Sequence, residues 1–126
     1  DYNDVLTDPN VDLVVITTRH NLHFKYVSEA LKAGKTVLVE KPLCMNSEEL
    51  KEIEEILKTT TGGLMVGYNR RFSPHAQKIK GYLNNHVNPM IINYVMNAGY
   101  IAPDVWVHGK EGGGRIIGEG LTLIHI

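Results

Sequence analysis

The sequence predicts an α/β chain: half of a doubly wound parallel sheet, followed by a different pattern. Three observations predict it. Residues 11–18, 36–40 and 64–68 are short runs rich in branched apolar side chains without strict alternation, the pattern of strands covered on both faces. Two stretches between them carry apolar residues at helical spacing. Glycine and proline punctuate the joins. Strand, helix, strand, helix, strand in this order implies parallel pairing and right-handed crossovers. In such sheets ligands lie at the carboxyl ends of the strands.

Each element has its own reason. Residues 2–7 read as the end of a helix, and Asp8-Pro9-Asn10 as a turn. VDLVVITT, 11–18, is the first strand. HFKYVSEALKAGK, 23–35, puts Phe24, Val27, Ala30 and Leu31 on one helical face, and Gly34 stops it. TVLVE, 36–40, is the second strand. SEELKEIEEILKTTTGG, 47–63, reads as a helix with Ser47 as N-cap and an apolar stripe of Leu50, Ile53, Ile56 and Leu57. Its Glu- and Lys-rich face reads as solvated surface. LMVGY, 64–68, is the third strand. Past Arg71 the pattern changes. Residues 73–85 predict a helix with Pro74 in its first turn. Residues 89–100 predict a half-exposed strand, 101–115 a loop, and 116–126 fit no one element.

Composition narrows the class. The chain has 126 residues, 43% hydrophobic and 21% charged, with a net charge of -1 and a pI near 6.6. This is an ordinary globular balance of single-domain size. It calls for neither nucleic acid nor an anionic membrane surface as partner. Cys44 is the one cysteine, so no internal disulfide is possible and a reducing, cytoplasmic location is expected. No apolar run reaches the length of a membrane span, and the opening DYNDVLTDPN is polar and acidic, unlike a secretory signal.

Polar clusters fall where the sheet predicts a site. Thr17-Thr18, Glu40-Lys41 and Tyr68-Asn69-Arg70-Arg71 each follow a strand. Taken alone, Lys41 reads as a strand-end lysine paired with Glu40. Arg70 and Arg71 suit bidentate capture of a phosphate or carboxylate, or bracing between domains. His20 and His23 have metal-like spacing, but no third ligand follows, so no metal site is expected. Cys44 reads as a small, inert apolar residue.

DPNVDLVVITTRHNLHFKYVSEALKAGKTVLVEKPL, followed by GLMVGYNRRFSP, resembles the Gfo/Idh/MocA group of nicotinamide-dependent oxidoreductases across residues 8–74. MNAGYIAPDVWVH and GGGRIIGEG resemble a branch found in sugar and polysaccharide clusters. The resemblance implies the C-terminal half of a Rossmann-type parallel sheet over residues 1–72, then the start of an α+β substrate domain over 73–126. It implies NAD or NADP as cofactor. Hydride would pass between nicotinamide and a secondary hydroxyl of a sugar, cyclitol or sugar nucleotide. Lys41 would be the catalytic residue, with its ammonium favouring a developing alkoxide. Thr17, Thr18, His20, Asn21, His23, Glu40, Pro42 and Asn69 would line the cofactor, with Lys41-Pro42 a cis bond. For His23, a plain helix-start histidine bonding nearby backbone stands beside that reading. Arg70, Arg71 and Trp106 would meet the substrate.

The departures from the family pattern matter as much. The sequence contains no G-x-G-x-x-G turn to cradle a pyrophosphate. The chain therefore reads as a middle piece of a longer enzyme, inactive alone. Its first apolar strand would be an exposed edge, so a homo-oligomer is expected. The family's helix with a basic histidine falls on Gly118, Thr122 and His125, with threonine at the histidine position. The proton acceptor is then Lys41, Glu119 or absent, or residues 121–126 are not native sequence. A catalytically lapsed binding or interaction protein of the same fold is the competing reading.

Overall fold

Three parallel strands, β1 (Leu13–Ile16), β2 (Thr36–Glu40) and β3 (Leu64–Gly67), lie side by side in chain order. They come from a computed structural model that describes residues 1–124, without the side chains at 121 and 123. Val14 stands beside Val37, and Val39 beside Val66. The two crossovers are α2 (His20–Lys32) and α3 (Ser47–Leu57). Because the strands follow chain order, two right-handed crossovers lay both helices on one face of the sheet. The core is there: Val14, Ile16, Val37 and Val39 pack with Val27, Ala30 and Leu31 of α2 and Ile53 and Ile56 of α3.

That arrangement corrects the expectation of strands covered on both faces. Leu13, Val15 and Met65 are 53%, 58% and 66% exposed. With both helices on one side, alternate residues of β1 and β3 face outward.

Helix limits also differ from the sequence reading. α2 starts at His20, three residues early, and ends before Gly34, whose φ of 75° only glycine adopts freely. α3 is capped by Asn46 rather than Ser47. The Asn46 side chain accepts from the Glu49 N–H at 2.8 Å, and the Glu49 carboxylate accepts from the Met45 N–H at 2.8 Å. Asn46 has the extended backbone that a cap needs, whereas Ser47 is already helical. The helix closes at Leu57, and Thr60 turns back to donate its hydroxyl to the Leu31 carbonyl. Only Ile53 and Ile56 of the predicted stripe are buried.

The short helix α1 (Tyr2–Thr7) is capped by Asp1 and tied to α2 where the Tyr2 hydroxyl donates to the Tyr26 carbonyl at 2.7 Å. Burial, with Glu29 adding to it, pushes the Tyr2 phenol up to about 12.

Beyond the sheet, a tight 3-10 turn (Asn69–Phe72) leads to α4 (Pro74–Leu83), capped by Ser73. The strand expected at 89–100 does not form. A strand needs a ladder partner, and none of the described residues pairs with this stretch; Ile91 and Val95 are 93% and 92% exposed. The tail is helical: a wide π turn (Ile116–Gly120) runs into α5 (Leu121–Ile124). His125 lies outside the described residues. No helix among them is long and apolar enough to cross a membrane.

Candidate active site

The carboxyl ends of the strands frame two hollows. The first is a cleft of about 250 Å³ whose polar lining comes from Thr17, Glu40 and Asn69, one residue from the end of each strand. Gly67 also lines it, and a Cβ there would sit 3.4 Å from the Glu40 carboxylate carbon. Val15 and Leu38 form its apolar floor.

The second hollow is about 150 Å³ and is lined by Lys41, His20, Trp106, Arg115 and Glu119 among others. Its wall is a strap, residues 106–115, laid over the start of α2. The Asn21 N–H donates to the Glu111 carbonyl at 3.1 Å. His20 Nδ1 lies 2.8 Å from the Gly112 carbonyl. The Arg19 guanidinium pairs with the Glu111 carboxylate and lies over the Trp106 ring. The His20 ring meets Trp106 edge-on, with centroids 4.9 Å apart.

Lys41 stands at the junction. Its ammonium donates to the Gly118 carbonyl and pairs with Glu119 Oε1 at 3.3 Å. Both partners ride on the π turn, a distortion common at functional sites. An ammonium has three N–H donors, so one is left for a ligand in the cavity. Arg70 approaches Glu119 Oε2 at 3.5 Å without hydrogen-bonding it. Glu40 does not hold the Lys41 ammonium; its carboxylate accepts from the Lys41 backbone N–H at 3.3 Å instead.

His20 titrates below its ordinary 6.5. Burial is the main cause, and the Lys41 and His23 charges add to it; the Gly112 and Glu119 contacts oppose it. A neutral ring that donates from Nδ1 to a carbonyl keeps a lone pair on Nε2. Burial, then Glu49, holds the Cys44 thiol above its usual range, in keeping with an inert residue.

The structure does not bring every expected residue to these two hollows. His23 is fully buried, with Nδ1 2.6 Å from the Pro42 carbonyl and Nε2 2.9 Å from the Thr18 carbonyl. Both ring nitrogens face backbone carbonyls, so His23 sits between the exits of β1 and β2 rather than facing a ligand. Pro42 is buried beside it, and the Lys41-Pro42 bond is cis. Thr18 is exposed at the end of β1, and its hydroxyl faces the Arg19 carbonyl. Asn21 is exposed and bonded to the strap through its backbone. Arg71 is exposed and lies over Phe72, away from both hollows. One residue and one contact at the site escaped the sequence reading. Arg115 follows three glycines, and that lone cation after a turn was the available signal. The pairing of Arg19 with Glu111 carried none, because the two lie about ninety residues apart.

Residues 1–68 match the family described as "Oxidoreductase family, NAD-binding Rossmann fold", Gfo/Idh/MocA. The chain belongs to that family. Among curated relatives it is 31% identical to myo-inositol 2-dehydrogenase of Thermotoga maritima, over 94% of this chain and 40% of that protein. Among solved structures, an NAD-binding protein from Listeria innocua matches with a TM-score of 0.83 and 34% identity, over 98% of this chain and 38% of that one. Levoglucosan dehydrogenase in complex with NADH and levoglucosan matches with a TM-score of 0.61 and 32% identity, over 67% of this chain and 23% of that one. The chain thus spans about two fifths of the length of the curated relatives it matches nearly end to end. The residues present fit the nicotinamide end of a dinucleotide. The first cleft is lined mostly by apolar side chains, with Thr17, Glu40 and Asn69 supplying polar groups, and lies at the carboxyl ends of three parallel strands.

Proposed function

We propose that these residues form the hydride-transfer site of an NAD(P)-dependent dehydrogenase acting on a secondary hydroxyl of a sugar, cyclitol or sugar nucleotide. The observation that carries this reading is Lys41. Two of its three N–H donors are committed to Gly118 and Glu119, which leaves one for a ligand, and the residue lines a cavity next to the strand-end cleft. Nicotinamide supplies the carbon that takes or gives hydride. Thr17, Glu40 and Asn69 bind and orient it from the ends of three strands. Lys41 holds the substrate oxygen and stabilises the negative charge that develops there. Glu119 fixes the ammonium in place, with Arg70 behind it. His20, kept neutral and anchored through Nδ1, offers Nε2 to the departing proton. The strap shields the site from water through its Trp106 contact with His20. Residues 1–72 supply the cofactor side and residues 73–126 begin the substrate side.

One observation favours the binding-protein alternative: Thr122, where the family pattern expects a histidine, is buried with its hydroxyl unbonded among the described residues. Replacing Lys41 separates the two. In the whole protein that carries this chain, Lys41→Ala is expected to lower kcat by about a hundredfold or more, the effect of removing one preorganised oxyanion donor. Cofactor affinity should stay close to wild type. Undiminished turnover in Lys41→Ala contradicts the proposal, and the absence of turnover in both proteins favours the alternative.

A further inference from the structure

We propose that Arg115 forms an anion subsite in the Lys41 cavity, so that the substrate carries a carboxylate or phosphate as well as its reacting hydroxyl. The hydroxyl part rests on the dehydrogenase reading above; the anion part does not.

The chain has four arginines, and the other three have partners. Arg19 pairs with Glu111, Arg70 with Glu119, and Arg71 lies over Phe72. Arg115 is half-buried, lines the cavity, and has no hydrogen bond or ion pair to any described residue. A guanidinium partly withdrawn from water without a counter-charge is costly. Its planar fork of donors matches a carboxylate or phosphate in two-point contact. The carboxylate that lines the cavity, Glu119, is already shared by Lys41 and Arg70. One anion therefore faces three cations. His20 does not change this balance, because its neutral form is the favoured one.

The size of the cavity narrows the class. About 150 Å³ is below the roughly 300–1,000 Å³ of pockets that enclose drug-sized ligands. A volume of that size suits one sugar ring or a short polyol. The anion then belongs to the reacting molecule itself, as in a sugar acid or a sugar phosphate, with its charge at Arg115 and its hydroxyl at Lys41.

Calorimetric titration of the whole protein with D-glucuronate, D-glucose 6-phosphate and D-glucose tests this. At least one anionic probe is expected to bind about tenfold or more tightly than glucose, the scale of one hydrogen-bonded charge. The tighter of the two assigns the group as carboxylate or phosphate. Arg115→Gln should bring that probe to the level of glucose, and Arg115→Lys should retain part of the preference. The inference is overturned if glucose binds as tightly as both anions, if none of the three binds, or if Arg115→Gln keeps the preference. Should Arg115→Gln fail to fold, the wild-type comparison and Arg115→Lys decide. A separate titration with NAD and NADP keeps the two readings apart. Failure there sinks the dehydrogenase and leaves the anion result standing.

Discussion

His20 joins the strap, the cavity and Lys41, and it carries a pH dependence with a definite sign. Its folded pKa lies below 6.5, chiefly because burial disfavours the imidazolium. Above 6.5 the ring is neutral in both states and its contribution to stability is complete. As pH falls through 6.5, the unfolded chain takes up the proton first, so that contribution shrinks until the folded ring titrates as well. The urea midpoint is expected to drop between pH 7.5 and 5, and His20→Gln should reduce the drop. An equal slope in both proteins would remove His20 from the account. Sequence marked the positions of Lys41, Thr17, Glu40 and Asn69, because strand ends are legible from apolar runs. It did not mark which charge answers Lys41. Glu40 is adjacent in sequence, yet β geometry sends its carboxylate to the backbone N–H, and the ammonium meets Glu119 from a distant turn. Such a partner is set by tertiary folding, with no local signal to read.

Among the elements, α3 shows how far periodicity reaches. Leu50, Ile53, Ile56 and Leu57 share a stripe in sequence, but the sheet covers only its centre. Ile53 is 1% exposed and Leu57 is 39% exposed. Ile53→Ala is expected to cost about 2–5 kcal/mol, as core truncations do. Leu57→Ala should cost only about 1 kcal/mol, for partial burial. Comparable losses in chemical denaturation would contradict the packing described. Elements that carry their own apolar stripe, such as α2 and α3, were legible to within a few residues at their starts. The stretch 89–100 was not. Its residues have strand propensity, but a strand forms only against a neighbour, and the described chain offers none. The strap was legible only as loop, because its order comes from contacts with Arg19, His20 and Asn21 rather than from its own sequence.

For the whole molecule, the topology does the positioning. Strands in chain order bring three strand ends to one edge and both crossover helices to one face. The strap then closes a second hollow against that edge. The strand-end cleft, lined by Glu40, and the cation-rich cavity, lined by Lys41, meet at that adjacent pair. This adjacency is the central claim, since hydride transfer needs cofactor and substrate in contact. The most direct test is calorimetric titration of NAD and NADP into the whole protein that carries this chain, beside its Asn69→Ala variant. Binding of at least one cofactor, weakened about tenfold in Asn69→Ala by the loss of a polar contact left unmatched, is the predicted result. No binding of either cofactor to the wild-type protein would contradict the account.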